Sequence, residues 1–214
     1  MDLFDLMAQE IETQMQDVCT RLAQIPEEKR IEVLNRIRQA LHEVSPFKAE
    51  PVDCVLWVPS DQVQANSYNP NAVAPPEMRL LQHSIEADGY TQPIVTNPQN
   101  GSYEVVDGFH RSRVGKESPK VRARVKGYLP ITLIKSTRTD LKDRMAATIR
   151  HNRARGVHGV VPMVDLVAEL IRQGWADSDI CKELGMDSDE VLRFKQNAGL
   201  PELFKDHQYS RAWE

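Results

Sequence analysis

The sequence predicts an α+β protein: a mixed sheet with its helices in the middle of the chain, an N-terminal helical hairpin before it and an all-α module after it. Three observations carry this. Residues 4–44 repeat apolar side chains at helical spacing, residues 52–135 alternate short β-rich runs with Pro, Asn and Gly, and residues 161–196 return to helical spacing. The 214 residues suffice for a core of ordinary size, and no apolar run approaches the roughly 18 residues of a membrane span. With 41% hydrophobic and 27% charged residues the chain is too apolar for intrinsic disorder.

From the N-terminus, Phe4, Ala8, Ile11, Met15, Val18, Leu22 and Ile25 fall on alternate three- and four-residue spacings, the seam of a helix that packs on another helix. Pro26, Glu27 and Glu28 suit the first turn of a second helix, whose apolar face carries Ile31, Leu34, Ile37, Leu41 and Val44. The expected hairpin, residues 1–50, is a surface for a protein partner or a homo-oligomer, or for packing on its own domain. Ser45 to Pro51 breaks the helix. Val52 to Val58 reads as a strand, Asn66 to Pro76 as a loop, and Pro75-Pro76-Glu77 as the start of a helix that Gly89 closes. Pro93 to Thr96 and Tyr103 to Val106 read as a hairpin around Asn97-Pro98-Gln99-Asn100-Gly101, with further strands at Val121 to Val125 and Ile131 to Lys135. Helices are expected at Leu141 to Ile149 and Val161 to Ile171.

Charge is unevenly spread. Residues 1–50, 51–107, 108–155 and 156–214 carry net −4, −6, +11 and −5, so a protein of net −4 contains one concentrated basic block. Such a block suits a polyanion; solvated helix faces are the alternative. Cys19, Cys54 and Cys181 are widely spaced and form no CxxC pair, which fits reduced thiols, and Met1 to Asp5 lacks the basic and apolar stretches of a signal peptide. A cytoplasmic protein with no membrane contact is expected.

Within the basic block, Val105-Val106-Asp107-Gly108-Phe109-His110-Arg111-Ser112-Arg113 joins a β-run to a helix through glycine. The free N–H groups of a helix start favour an anion, glycine lets the backbone approach it, and Arg111 offers a planar fork for phosphate oxygens. His110 adds a donor that can exchange protons. An ordinary strand-to-helix turn is the other reading of so short a motif. Arg150-His151-Asn152-Arg153-Ala154-Arg155 is a second anion-clamp candidate, or a set of cations placed near a helix C-terminus. His151 and His158 lack the partners of a zinc site, and the metal ligands are left unassigned.

The ordered series Asn69-Pro70, Gly89-Tyr90-Thr91-Gln92-Pro93-Ile94, Asp107 to Arg113 and His151 to Arg155 resembles the nucleotide-binding domain of the ParB/sulfiredoxin superfamily over residues 52–158. The helices in front point to its IbrB-like branch. The resemblance implies a pocket in which Gln92, Pro93, Gly108, His110, Arg111, Arg113, Asn152 and Arg155 contact a nucleoside di- or triphosphate (ATP, ADP or CTP), with Mg²⁺ as a possible companion. His151 stands where ParB proteins carry the glutamate of ENxxR, which removes an expected acidic metal ligand. Phe109 replaces the reactive cysteine of sulfiredoxins and excludes sulfinic-acid repair. Asp107-Gly108-Phe109-His110-Arg111 is closer to the DGxHR form of serine-kinase relatives. That form implies, as an alternative, an ATP- or ADP-using phosphotransferase or nucleotide hydrolase with Asp107 and His110 as the catalytic residues.

Residues 159–214 resemble a helix-turn-helix module. Ser178 to Met186 form its first helix and turn, Asp187 to Gln196 its recognition helix, and Ile180, Leu184, Val191 and Leu192 its core. Arg193 and Lys195 are the DNA-binding candidates. The net charge of −3 over residues 176–199 opposes a phosphate backbone, so DNA and protein contacts are both expected outcomes, and transcriptional co-activation is the implied cellular role.

Overall fold

The computed structural model describes residues 2–66, 75–134 and 160–198, and among these no helix is long and apolar enough to cross a membrane. The chain divides into two units, Met1–Trp57 and Val58–Glu214.

In the first unit, helix α1 (Leu3–Ala23) starts on a capping box. Asp2 accepts from the Asp5 N–H at 2.8 Å and the Asp5 carboxylate from the Asp2 N–H at 3.0 Å. Helix α2 (Glu27–Val44) begins after Pro26 with two glutamates in its first turn, as expected. Arg30 donates to the Ala23 and Ile25 carbonyls and so satisfies the end of α1. The two helices are joined by this tight turn. Leu22 is buried at the turn, whereas Phe4 and Ile11 on the same seam stay exposed. After α2, His42 Nδ1 meets the Asp53 carboxylate at 2.5 Å and Ser45 donates to it at 3.0 Å, which fastens the connecting segment and holds Asp53 below the usual carboxylate range.

The strands are β1 (Leu56–Pro59), β2 (Val63–Gln64), β3 (Ile94–Gln99), β4 (Ser102–Asp107) and β5 (Tyr128–Leu133), in sheet order β1-β5-β3-β4-β2. β3 runs antiparallel to β4 and parallel to β5, and β2 runs parallel to β4. The turn between β3 and β4 is shorter than expected. Asn97 to Gln99 continue the strand, and the two residues Asn100 and Gly101 make the reversal with φ of 46° and 81°. Asn-Gly accepts positive φ at both positions, and that turn matches the twist of the paired strands.

Helix α3 (Pro75–Asp88) ends at Gly89, as its sequence indicates. Helices α4 (Phe109–Glu117) and α5 (Pro119–Arg124) follow β4. The expected strand at Val121 to Val125 is therefore corrected to a helix. Ser118 caps it through the Val121 N–H and Pro119 occupies its first turn, while Val121 packs with Ile85 and Val114 in one buried cluster. The valine-rich run has β propensity, but local capping and burial against two helices decide otherwise. The strand expected from Val52 also starts later, because Pro51–Asp53 form a 3₁₀ turn. The helix expected at Leu141 to Ile149 lies outside the described residues.

Helix α6 (Val160–Arg172), α7 (Asp177–Leu184) and α8 (Ser188–Ala198) form the C-terminal module. Val167, Leu170, Ile180, Leu184, Met186 and Val191 make its core, and Leu192 is half-buried beside them. Gly185 takes φ 62° at the end of α7, and the Asp187 carboxylate accepts from the Glu190 N–H to open α8.

Candidate phosphate-binding site

β4 delivers Asp107 to the edge of the hydrophobic layer, and the chain turns at Gly108 (φ 89°, ψ 25°) directly into α4. Gly108, as the N-cap, has no side chain to offer this helix start. Arg111, in the first turn of α4, folds back over Gly108. A Cβ at Gly108 would lie 2.8 Å from the Arg111 Nη2, so glycine is required both for the left-handed turn and for this close approach.

The guanidinium then gathers three segments. Nη1 donates to the Gln92 side-chain oxygen at 3.1 Å, and Nη2 donates to the Pro93 carbonyl at 3.2 Å and to the Asp107 carboxylate at 3.1 Å. The Arg111 and Asp107 side chains retain only 15% and 4% of their exposure. A cation at a helix N-terminus opposes the helix dipole, and the buried carboxylate offsets it. Gln92, Pro93, Asp107, Gly108 and Arg111 thus meet at one place.

Other site candidates are placed differently. Arg113 is exposed and its Nε donates to both Glu117 carboxylate oxygens, at 2.9 Å each, away from the Arg111 set. His110 turns both ring nitrogens away from solvent, and its ring meets Phe109 edge-on at 5.2 Å. Asn152 and Arg155, with the rest of the second arginine cluster, lie outside the described residues. In the helix-turn-helix module Arg193 is exposed. Lys195 is not a DNA-facing residue: it is 3% exposed and donates to the Asp177 carboxylate at 2.6 Å, tying α8 to α7. Lys195 is a cation, and its burial requires that it be paired within the module.

Two residues essential to the geometry escape motif reading. The Tyr90 hydroxyl donates to the Arg111 carbonyl at 2.9 Å, fastening the Gln92 segment to α4, and burial pushes its phenol up to about 12. Gly115 lies against that ring; a Cβ there would stand 2.2 Å from the Tyr90 oxygen and 2.4 Å from Leu129. The signal for Tyr90 was its place inside Gly89 to Pro93.

Within the described residues 108–134, much of the basic block is spent inside the fold. Besides Arg111 and Arg113, Lys116 donates to the Val63 carbonyl and has its ammonium pKa lowered by burial, Lys120 pairs with Glu86 at 3.2 Å, and Arg124 donates to the Ile85 and Glu86 carbonyls. Ser118, Lys120 and Gln82 together hold the Glu86 carboxyl below its usual range. Over residues 108–134 most of the cations are therefore engaged with carboxylates and backbone carbonyls of the fold itself.

Comparison with known proteins finds two family domains in the chain. A ParB N-terminal domain model matches residues 47–137, and an IbrB-like C-terminal HTH domain model matches residues 158–206. The chain is 59% identical over 199 residues to the uncharacterized protein YbdM of Escherichia coli (strain K12), covering 92% of this chain and 94% of that one. Two solved structures of the chromosome-partitioning protein ParB from Caulobacter crescentus are also similar. The form complexed to the centromeric parS site is 19% identical, with a TM-score of 0.44, covering 68% of this chain and 73% of that one. The form complexed with CTP-gamma-S is 21% identical, with a TM-score of 0.38, covering 69% and 80%. The chain accordingly belongs to the family of YbdM, ParB-like proteins in which a ParB N-terminal domain is followed by an IbrB-like helix-turn-helix domain.

Proposed function

We propose that this protein is a regulator that binds a nucleotide by its phosphates at the start of α4 and acts on DNA through its helix-turn-helix module. The observation that carries the nucleotide reading is the left-handed turn at Gly108 into α4 with the Arg111 guanidinium laid over it. Helix N–H donors and a guanidinium fork in one place make a phosphate site. Binding exchanges some of the internal acceptors of Arg111 for phosphate oxygens, with Gln92 and Pro93 positioned to follow.

Asp107 is a positioning residue in this reading. Its buried carboxylate holds Arg111 and is not presented to an incoming hydroxyl, so the geometry favours ligand binding over phosphotransfer. Transcriptional control is the output proposed for the pairing of the two domains, with Arg193 rather than Lys195 as the DNA-side cation.

The test is calorimetric titration with CTP, ATP and ADP, each with and without Mg²⁺. One of them is expected to bind the wild type, and Arg111→Lys is expected to weaken it at least tenfold, because lysine keeps the charge and loses the fork. Thermal denaturation of the same variant shows whether the fold survives. No binding by the wild type, or unchanged affinity in a folded Arg111→Lys variant, overturns the proposal. Release of inorganic phosphate that is abolished in Asp107→Asn would replace it with the enzymatic reading.

A further inference from the structure

The Arg111 guanidinium, which the nucleotide reading offers to a phosphate, already holds an anion of the protein itself. Its Nη2 donates to two acceptors, the Pro93 carbonyl at 3.2 Å and the Asp107 carboxylate at 3.1 Å. Nη1 donates to the Gln92 side-chain oxygen at 3.1 Å. Nε is buried and has no acceptor among the described residues. The Nε and Nη2 atoms both face Gly108, since a Cβ there would stand 3.1 Å from the first and 2.8 Å from the second.

A bidentate grip on phosphate takes two parallel N–H groups along one edge of the guanidinium. Nη2 belongs to both edges that offer such a pair, Nε with Nη2 and Nη1 with Nη2. Either fork is therefore half closed. Of the two acceptors that close it, the Pro93 carbonyl is neutral, whereas the Asp107 carboxylate is an anion whose side chain retains 4% of its exposure. Like charges brought together where water is largely excluded repel each other far more than in bulk solvent. The other cations of α4 are directed elsewhere, Arg113 to Glu117 and Lys116 to the Val63 carbonyl.

Resting on the nucleotide reading, we infer that Asp107 is an internal competitor of the phosphate: its carboxylate occupies Nη2 in the free protein, yields it to the ligand, and so sets both the affinity and the preference among ligands of different charge. The same bond positions Arg111 in the free protein. Asparagine at this position keeps an oxygen for Nη2 and removes the charge, and the Gln92 and Pro93 contacts still hold the guanidinium. Repulsion by the carboxylate grows with the charge of the ligand, so it opposes a triphosphate more than a diphosphate.

Calorimetric titration of the full chain with ATP and ADP, and with CTP and CDP, in the absence of Mg²⁺ tests it. Asp107→Asn is expected to bind the preferred triphosphate about tenfold more tightly than the wild type, as removal of a like charge from the site requires. The gain is expected to be smaller for the diphosphate of the same base, and absent in Asp107→Glu, which keeps the charge. Binding by Asp107→Asn that is no tighter than that of the wild type overturns the inference and leaves the nucleotide reading standing, as does an equal gain for both ligands. Absence of binding by both the wild type and Asp107→Asn overturns the nucleotide reading and this inference with it. Carbon-13 NMR of the side-chain carboxyls reads the same contact in the wild type, without any substitution that could impair folding. The Asp107 resonance is expected to move as nucleotide saturates the protein, and a resonance that stays in place shows the pair still closed and overturns the inference.

Discussion

At the scale of single residues, the site depends on the absence of a side chain at Gly108. Its φ of 89° strains any L-residue, and a Cβ would press on the Arg111 guanidinium. Gly127 has a similar φ of 76° with nothing within 4 Å of an added Cβ. Gly108→Ala and Gly127→Ala should therefore share a backbone cost of about 1–2 kcal/mol. Only Gly108→Ala should displace Arg111 from Gln92 and Pro93 and weaken nucleotide binding. Urea denaturation of both variants, with calorimetry of the bound nucleotide, separates strain from contact. Equal binding by the two alanine variants would show that the close approach is not needed.

At the scale of elements, the loop that carries Gln92 is coupled to α4 through Tyr90. The hydroxyl donates to a helix carbonyl that sits beside the Arg111 side chain, and Gly115 leaves room for the ring. Burial raises the phenol to about 12, so the folded state favours the neutral form. The stabilisation from this group is complete below the unfolded value of about 10 and is lost as the pH rises towards 12. Tyr90→Phe is expected to cost about 1 kcal/mol at neutral pH through the lost hydrogen bond. Its urea midpoint should also fall less steeply than that of the wild type between pH 10 and 12. Parallel slopes would detach Tyr90 from this titration.

At the scale of the whole molecule, net charge misleads unless each charge is located. Lys195 is counted as a cation of the DNA-facing helix, yet it lies in the core of the module beside Asp177. Lys195→Met should lower the urea midpoint, by about 2 kcal/mol in stability because Asp177 keeps some access to water, and leave the salt dependence of duplex DNA binding unchanged. Arg193→Ala should do the reverse, leaving stability near that of the wild type and reducing the salt slope by about one counterion. Fluorescence anisotropy over a salt series, set beside urea denaturation, reads both outcomes. A reduced salt slope in Lys195→Met would place that side chain on the DNA after all.

Local grammar was enough for much of the fold and for the core of the site. Helix starts at Pro26, Pro75 and Gly108, the Asn-Gly reversal, the helix-turn-helix core and the family motifs were all legible, because each depends on a few adjacent residues with strong backbone preferences. The sequence by itself therefore determined the α+β class and the order of its parts. Tertiary structure alone decided that Val121 is helical, that Tyr90 and Gly115 frame the site, and that Lys195 and most cations of residues 108–134 serve the fold. The physical reason is that burial and pairing depend on which distant residues arrive at the same place, and neither propensity nor a segment's net charge contains that information.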